Sequence, residues 1–588
     1  FIDLFWKGTL LVEQKSEGRN LNSAFIQAQD YYLDLDVDDR PRYILVSDFQ
    51  NFEFFDLEKN INKKFKLKDL HKNIRLFDFI AGRKIETYVD QDPVNIKAAQ
   101  VIAKLYHSIK SSGFREKDLE IFLTRIVYCL FAEDTGIFQP NSFRNYLEVK
   151  TNIDGSDVGA KLTELFQTLN TKIDNRQSNL DEDLDSFLYI NGDLFSEQMV
   201  IPSLSSEMRK KIINCCSLDW SKVSPALFGS LFQTVLEESE QRDEGAHYTS
   251  EKNILKTIKP LFLDYLYERL EKIKQDRSTQ KNSRLRQFHK HISDLKFLDP
   301  ACGCGNFLIV AYRELRKLEI EIFKELYPMD QLQLDVNILS DVNVDQFYGI
   351  ELNHFAVRIA KIAIWLIDHQ MNQALSDLFG IAYTRIPIHD HNKIIRENSL
   401  KYDWSNLINP SDCNYIFGNP PFIGSRFMNE EQKEELLNLF ENVRGNGELD
   451  YVSCWFLNAS NFIKDSNTKV AFVSTNSITQ GEQVGILWNE LINKKNIDIF
   501  FAHRTFKWTI DEQRVQGMHI ANVLVVIIGF NANEKVRLKK IYDYKDISSD
   551  PEEIIVEKIN PYLIPAENVF INKLSKQINN FPEMKFGN

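Results

Sequence analysis

The sequence predicts an α/β fold that is organised around a parallel β-sheet. Candidate strands alternate with amphipathic helices from Arg242 onward, which is typical of parallel sheets whose crossover connections are helical. A glycine-containing turn within residues 297–308 also joins a strand directly to a helix, as ligand-binding turns of such folds do. The candidate strands are Leu295–Leu298, Gln346–Ile350, Tyr415–Phe417, Val470–Ser474, Ile497–Phe501 and Asn522–Ile528.

Composition narrows the class of protein. The length of 588 residues is too great for one core, and the net charge of −13 argues against a protein that coats nucleic acid non-specifically. The basic stretch 272–296 is interpreted as a solvated helix face rather than a DNA contact. The longest apolar run, Ala521–Phe530, is too short to cross a bilayer, so no membrane association is expected. Seven cysteines without CxxC spacing are typical of a reducing cytoplasm.

The chain divides into four predicted segments. Residues 1–92 form a small α/β unit with strands Thr9–Glu13 and Tyr43–Ser47 and a helix Ser23–Leu33. Residues 93–240 carry apolar side chains at helical spacing, which predicts a helical spacer. Residues 241–545 hold the alternating strands and helices, and residues 546–588 begin another unit.

Two acidic residues and a glycine turn predict a nucleotide-like ligand site. Gly303 and Gly305 allow a sharp turn and a close approach to a ligand, and Asp299 can hold a cationic amine. Glu351 ends the next strand, where a doubly wound fold binds ribose hydroxyls. A ligand-free tight turn and a helix N-terminal acid are the simpler alternatives. The order and spacing of the Asp299 turn and Glu351 along the chain favour the ligand site.

The most specific signal is the stretch 414–422, which ends in Asn419-Pro420-Pro421-Phe422. It resembles the Asn-Pro-Pro-aromatic motif of DNA amino-methyltransferases. The resemblance implies that Asn419 and the Pro420 carbonyl accept hydrogen bonds from the target amine, while Phe422 stacks on the extruded base. Such acceptors position a poorly nucleophilic amine without a strong base.

The motif also separates related reactions. Cytosine C5 methylation needs a cysteine after a proline, and no Pro-Cys pair occurs. Asn in the first position favours adenine over the cytosine amine. Methylation of protein glutamine or of RNA guanine uses a related motif and stays open as an alternative.

The motif order resembles the gamma class of adenine methyltransferases, and it implies an S-adenosylmethionine site. Asn398 matches the position that contacts the cofactor adenine, where related enzymes often carry Asp. Phe506 or Trp508 could stack on the opposite face of the base. The segment 245–250 could bind the cofactor, cap the following helix, or do both. The implied cofactor residues are His247, Tyr248, Thr249, Asp299, Pro300, Ala301, Cys302, Gly303, Gly305, Asn306, Glu351, Leu352, Asn398, Ser399 and Asn419.

A second site is predicted near the start of the chain. Asp3 and the Glu13-x-Lys15 pair match the PD-(D/E)xK nuclease pattern, in which the two acids hold Mg²⁺ and the lysine orients the attacking water. Gln27 and Tyr31 resemble a helical Gln-x-x-x-Tyr element of some such nucleases. A surface salt bridge is the simpler interpretation of Glu-x-Lys alone.

Together these features resemble the MmeI-like Type IIL restriction–modification enzymes, over nearly the whole chain. The stretches 226–232 and 245–250 also match that family. The resemblance implies a Rossmann-like S-adenosylmethionine-dependent methyltransferase domain, preceded by a helical spacer and a PD-(D/E)xK nuclease domain. It further implies double-stranded DNA as partner and a monomer during methylation.

By this comparison we expect the nuclease to be N-terminally incomplete and residues 546–588 to begin a truncated target-recognition domain. A standalone adenine methyltransferase with an inactive nuclease relic, a protein or RNA methyltransferase, and a non-enzymatic scaffold are the alternatives.

Overall fold

The computed structural model describes residues 3–16, 21–35, 40–57, 61–70, 77, 92–190, 194–225, 251–327, 340–379, 393–508, 523–532, 538–547 and 550–571. The chain forms two compact units, Phe1–Pro93 and Val94–Asn588.

Helices and strands are numbered here in chain order. The strands are β1 Leu4–Trp6, β2 Leu10–Gln14, β3 Tyr43–Ser47, β4 Asn51–Asp56, β5 Ile61–Lys66, β6 Phe297–Asp299, β7 Phe347–Glu351, β8 Ile394–Arg396, β9 Tyr415–Gly418, β10 Lys469–Thr475, β11 Asp498–Trp508, β12 Val523–Asn531, β13 Lys539–Asp543 and β14 Glu552–Val556. The helices are α1 Leu21–Asp34, α2 Asp92–Lys110, α3 Glu116–Asp134, α4 Ser142–Val149, α5 Val158–Leu169, α6 Glu182–Asp185, α7 Ser206–Cys215, α8 Glu251–Ile258, α9 Asp264–Lys274, α10 Lys281–Asp294, α11 Asn306–Leu326, α12 His354–Phe379, α13 Glu430–Leu439, α14 Ser453–Phe462 and α15 Gly481–Gln483.

The first unit is a five-stranded sheet in the order β1-β2-β3-β4-β5, with α1 on one face. β2 and β3 are parallel, and the other neighbours are antiparallel. Side chains alternate along β2, so Leu11 packs toward α1 while Leu10 and Val12 pack on the opposite face. Both faces of β2 are therefore covered, which explains its unbroken apolar run.

The helices from α2 to α7 pack around a core of their own that extends into the second sheet region. Ile359, Ile362 and Leu366 of α12 belong to this core, and so does Cys304 from the turn that follows β6. Polar contacts reinforce the junction, since His369 Nε2 lies 2.7 Å from the Thr135 carbonyl oxygen. The helical segment and the nine-stranded region thus share one hydrophobic interior.

The second sheet has nine strands in the order β14-β13-β11-β12-β10-β9-β6-β7-β8. The five strands from β8 to β10 are parallel, whereas β12 runs antiparallel to both β10 and β11. The expectation of a parallel sheet is therefore correct for the first five strands and wrong for β12. An apolar strand buried on both faces has no alternation that reveals its direction, so composition cannot distinguish the two arrangements.

The sheet order creates one topological switch point. The chain runs from β6 outward through β7 to β8 and then returns to place β9 on the other side of β6. Ligands of open α/β sheets bind outside the carboxyl ends of strands at such a point. This edge carries Asp299 at the end of β6 and Asn419 directly after β9.

The predicted strands agree with the structure to within three residues at each end, except that β11 continues to Trp508 rather than ending at Phe501, and the mixed α/β fold is confirmed. The strands that the sequence did not predict are β1, β4, β5, β8, β13 and β14. Among the described residues, no helix is long and apolar enough to cross a membrane.

Candidate active sites

The turn after β6 is shaped by two glycines with left-handed backbone conformations. Gly303 has φ of +52° and Gly305 of +86°, a region that side chains with a Cβ rarely adopt. A Cβ on Gly305 would also lie 3.0 Å from the Cβ of Ala360, so the turn could not approach α12 as closely. α11 then begins at Asn306, whose buried Oδ1 has no hydrogen-bond partner in the described part of the chain. The helix N-terminus therefore faces the same edge as Asp299.

Asp299 is the most deeply placed acid of this edge. It is 1% exposed, and its Oδ1 accepts a hydrogen bond from the Ala301 backbone N–H at 3.0 Å. Burial raises the pKa of Asp299 to about 8, with the nearby Glu351 carboxylate adding to the effect. A buried acid of this kind gains most from a cationic partner, because such a partner offsets the lost hydration of the ionised form.

Glu351 connects β7 to the glycine turn. Its Oε2 accepts from the Gly303 N–H at 2.9 Å and its Oε1 from the Asn353 N–H at 2.8 Å. The cap of α12 is supplied instead by Asn353, whose Oδ1 accepts from the backbone N–H groups of Phe355 and Ala356. Glu351 is therefore not the capping acid of that helix, and it fixes the turn on which a ligand would rest.

Side chains around Glu351 differ sharply in exposure. Leu352 is 62% exposed beside it, which leaves an apolar surface open at the strand end. Cys302 is buried, and a Cβ on Gly349 of β7 would lie 2.8 Å from its sulfur. Burial raises the pKa of the Cys302 thiol, so the residue packs the turn against β7 and is no nucleophile. The neighbouring Pro300 carbonyl accepts a hydrogen bond from the Trp455 indole at 3.2 Å.

Asn398 reaches the same edge through β8, which pairs with β7. Its Nδ2 donates to Glu435 Oε1 at 2.7 Å, and its Oδ1 accepts from the Leu400 N–H at 2.9 Å. Ser399 is buried, and its carbonyl accepts from the Trp404 indole.

Asn419-Pro-Pro-Phe begins where β9 ends, between β6 and β10. A Cβ on Gly418 would lie 2.5 Å from Asp299 Oδ1, so the two strand ends touch at this glycine. The Asn419 amide oxygen is shielded from solvent and Pro420 is buried. Pro421 is half-buried, and Phe422, also half-buried, packs against the clusters on both sides of the sheet.

The loop after Phe422 is held by residues that the sequence analysis missed. Tyr451 N–H donates to the Ile423 carbonyl at 2.9 Å, and Ser425 N–H donates to Asp450 Oδ1 at 3.2 Å. Asp450 is buried and also accepts from the hydroxyl of Ser477 after β10. Together with Glu435 and Trp455, these residues hold the loops at the carboxyl ends of the strands. They have no characteristic sequence spacing from Asn419, so the sequence could not predict them.

Some predicted residues fall elsewhere. His247, Tyr248 and Thr249, and the stretches 226–232 and 245–250, lie outside the described residues. Phe506 and Trp508 are buried, at 1% and 3% exposure, which does not support the suggestion that either ring stacks on a base. Lys256 Nζ instead lies 4.2 Å above the Phe506 ring.

The basic stretch 272–296 forms two helices whose cations are largely paired. Lys281 contacts Glu325 at 2.8 Å, and Arg284 contacts Asp276 at 2.7 Å. This pairing agrees with the interpretation as a solvated helix face.

The second candidate site lies in the five-stranded unit. β1 and β2 are in antiparallel register with Leu4 opposite Val12, and Asp3 and Glu13 are the next residues at that end. Asp3 is exposed and accepts from the Gln14 N–H at 2.6 Å. Glu13 is 2% exposed. Asp3 therefore contacts the backbone of β2 at the residue that follows Glu13.

Lys15 joins Glu13 to the helix. Its Nζ lies 2.7 Å from Glu13 Oε1 and 2.7 Å from Gln27 Oε1, and Gln27 Nε2 donates to the Tyr31 hydroxyl at 2.8 Å. The two motif elements predicted separately are thus in direct contact. Among the described residues Glu13 Oε2 is buried and has no hydrogen-bond partner, and a cation would satisfy this atom. Within the described ranges no group of three or more His, Cys, Asp or Glu side chains is placed to hold a metal ion.

Comparison with known proteins identifies the family of the chain. Family models described as "MmeI, N-terminal domain", "MmeI, helicase spacer domain" and "MmeI, DNA-methyltransferase domain" match residues 1–112, 117–195 and 273–543. DNA methyltransferase A of Bacillus subtilis (strain 168) is 37% identical over 559 residues, which covers 93% of this chain and 61% of that protein.

A solved structure of the Type IIL restriction–modification enzyme MmeI in complex with DNA is 45% identical, with a TM-score of 0.76. The match covers 83% of this chain and 64% of that one. The chain thus spans about three-fifths of the length of these relatives. It belongs to the MmeI-like family of Type IIL restriction–modification enzymes.

Proposed function

We propose that this chain carries the adenine-N6 DNA methyltransferase of a bifunctional restriction–modification enzyme. The observation that carries the proposal is the contact between the two motifs, since Gly418, directly before Asn419, lies against Asp299. A base held at Asn419 would therefore lie beside a cofactor held at the Asp299 turn. Double-stranded DNA is the proposed substrate, bound by a monomer during methylation.

When bound, S-adenosylmethionine supplies an electrophilic methyl group on a sulfonium. The residues present fit this cofactor, because a buried carboxyl with a raised pKa faces two left-handed glycines and an open helix N-terminus. Asp299 would hold the cationic amine, Glu351 the ribose hydroxyls, and Leu352 and Asn398 the adenine. The other implied cofactor residues remain proposals.

At Asn419 the chain positions the amine. The Asn419 Oδ1 and the Pro420 carbonyl would accept the two N–H bonds of the exocyclic nitrogen and direct its lone pair at the methyl carbon. These two acceptors would hold the amine for methylation, and water at the open edge would take up the proton that the amine loses. Phe422 would offset part of the stacking that the adenine loses on leaving the duplex.

The same chain carries a proposed Mg²⁺-dependent endonuclease. Asp3 and Glu13 would hold the metal, and the buried, unpaired Glu13 Oε2 supports this assignment. Mg²⁺ would stabilise the negative charge that develops on the phosphate in the transition state. Lys15, held between Glu13 and Gln27, would orient the attacking water. An inactive nuclease relic is the alternative.

The proposed domain boundaries remain those predicted from the sequence, and the seven free cysteines agree with a cytoplasmic location. The main proposal is tested by methylome sequencing of the DNA of a host that expresses the full-length gene. We expect N6-methyladenine on one strand of an asymmetric site. Methyl transfer to RNA or protein but not to DNA would contradict the proposal.

A further inference from the structure

Glu435 is a buried carboxylate beside the proposed cofactor-adenine position. It lies on α13 and is 7% exposed. Its Oε1 accepts from Asn398 Nδ2 at 2.7 Å and lies 2.9 Å from Lys401 Nζ, while its Oε2 accepts from the Tyr451 hydroxyl. A buried acid is costly unless it is hydrogen-bonded, and this one has three donors around it. Neither Asn398 Nδ2 nor Lys401 Nζ can accept a hydrogen bond, so Glu435 Oε1 is the acceptor for both.

The carboxylate determines how the Asn398 amide is oriented. The oxygen and the nitrogen of an asparagine amide have nearly the same size, so the hydrogen-bond partners determine which of the two atoms lies at each position. Here the nitrogen must face Glu435, since an oxygen in its place would be repelled. Asn398 Oδ1 therefore points away from Glu435, where it accepts from the Leu400 N–H at 2.9 Å. An amide oxygen has two acceptor lone pairs, so one acceptor direction remains.

We propose that Glu435 is a positioning residue that sets the specificity for the cofactor's adenine. By accepting from Nδ2, it presents Oδ1 of Asn398 as the acceptor for the adenine 6-amino group. This inference rests on the proposed function, because it assumes that Asn398 contacts that ring. Glu435 thereby gives a neutral amide the acceptor role that an aspartate would have at position 398.

The same carboxylate connects the cofactor to the base-binding loop. The Tyr451 hydroxyl donates to Glu435, and the Tyr451 N–H donates to Ile423, the residue after Phe422. Tyr451→Phe removes one donor from Glu435 without touching Asn398. It is therefore the matched control for a change that acts through the Asn398 amide.

The test measures the affinities of S-adenosylhomocysteine and S-inosylhomocysteine by calorimetry on the full-length protein. Inosine has an acceptor oxygen where adenine has its amine. In Glu435→Gln the new amide can donate to Asn398 Oδ1, so Asn398 can turn its Nδ2 to the ligand. We expect the preference for the adenosyl ligand to fall about tenfold or more, and Tyr451→Phe to keep the wild-type ratio. The ratio is insensitive to the fraction of folded protein, since both ligands are measured on one preparation.

A reciprocal exchange gives an independent readout. Asn398→Asp places two carboxylates where one hydrogen bond of 2.7 Å exists now, so both ligands should bind more weakly. Asn398→Asp combined with Glu435→Gln restores a donor–acceptor pair, so adenosyl affinity should recover.

An unchanged ratio in Glu435→Gln, an equal shift in Tyr451→Phe, or no recovery in the double variant would each overturn the inference. If the wild type binds neither ligand, the proposed function fails instead.

Discussion

The two candidate active sites hold their acids in different ways. Asp299 lies at the end of β6, between two parallel neighbours, and is 1% exposed. Asp3 precedes β1, the edge strand of its sheet, and is exposed, although its partner Glu13 is buried. The methyltransferase edge is braced by Glu351, Asp450 and Trp455 through contacts between distant parts of the chain.

The difference shows how each site obtains its geometry. At the methyltransferase edge backbone N–H groups hold Asp299 and Glu351 before any ligand arrives, and an electrostatically assisted transfer needs such preorganisation. At the nuclease edge one acid is fixed and the other is solvated, so a metal ion would complete the arrangement. The predictions below test this contrast.

The largest effect is expected for Asn419→Ala. Removing the amide oxygen takes away one of two acceptors for the target amine, so methyl transfer should fall about 10²- to 10⁴-fold. Affinity for S-adenosylhomocysteine should change only a few-fold, because the Asp299 turn is intact. Labelled-methyl transfer and calorimetry on the full-length protein measure the two quantities.

The control for this change is Asn419→Asp, which keeps an acceptor oxygen and should retain more activity than the alanine variant. Alanine turnover equal to the wild type would remove the basis of the methyltransferase proposal.

The nuclease edge should respond almost as strongly to Lys15→Ala. The loss of Nζ releases Glu13 and Gln27, and Mg²⁺-dependent cleavage should fall at least about 10²-fold, while methylation stays unchanged. Cleavage of plasmid DNA that contains the recognition site measures the effect.

The same sheet offers a matched control. Lys64 makes a similar ion pair with Glu53 at 2.6 Å but is 60% exposed, so Lys64→Ala should cleave like the wild type. Equal cleavage by the Lys15 and Lys64 variants would mean that both pairs are only surface salt bridges. No cleavage by the wild type would favour the inactive relic.

The sequence predicts more of the geometry of one site than of the other. Asp299, Glu351 and Asn419 each follow a strand, and parallel strands bring their carboxyl ends to one edge, so the sequence order alone predicts that they meet. Asp3 and Glu13 lie at the same end of paired strands through a register that the sequence does not reveal, because β1 was not predicted. The contact between Lys15 and Gln27 likewise depends on the placement of α1 against β2.

The bracing residues could not be predicted in this way. Glu435 and Asp450 lie on a helix and a loop with no fixed spacing to any motif, and their contacts are purely tertiary. The sequence is equally undecided at Phe506, because an aromatic residue near a strand end is compatible with both a core and a stacking surface, and its burial favours the core.

A smaller effect is expected at the contact between the motifs. In Gly418→Ala the new Cβ would lie 2.5 Å from Asp299 Oδ1, so the carboxyl must move. Cofactor affinity should fall about 10- to 100-fold, since displacements near 1 Å carry costs of that order. Gly447→Ala is the control, because nothing lies within 4 Å of a Cβ there, and it should bind like the wild type. If Gly418→Ala binds as tightly as that control, the two motifs are less closely coupled than the contact implies.

The smallest effect concerns a single proton on Asp299. Its folded-state pKa of about 8 lies above the ordinary aspartate pKa of 3.8, so the folded protein keeps a proton that the unfolded chain loses between those two values. Asp299 therefore lowers the free energy of unfolding progressively as pH rises from about 4 to about 8, and leaves it unaffected below that window.

A cationic amine favours the ionised form, so cofactor binding near pH 7 should release close to one proton, and near pH 9.5 almost none. Calorimetry with S-adenosylhomocysteine in buffers of different ionisation enthalpy measures this number, and Asp299→Asn should release no proton from this position at either pH. Wild-type release that does not change with pH would mean that Asp299 is already ionised in the free protein, and that this edge is less dry than its burial indicates.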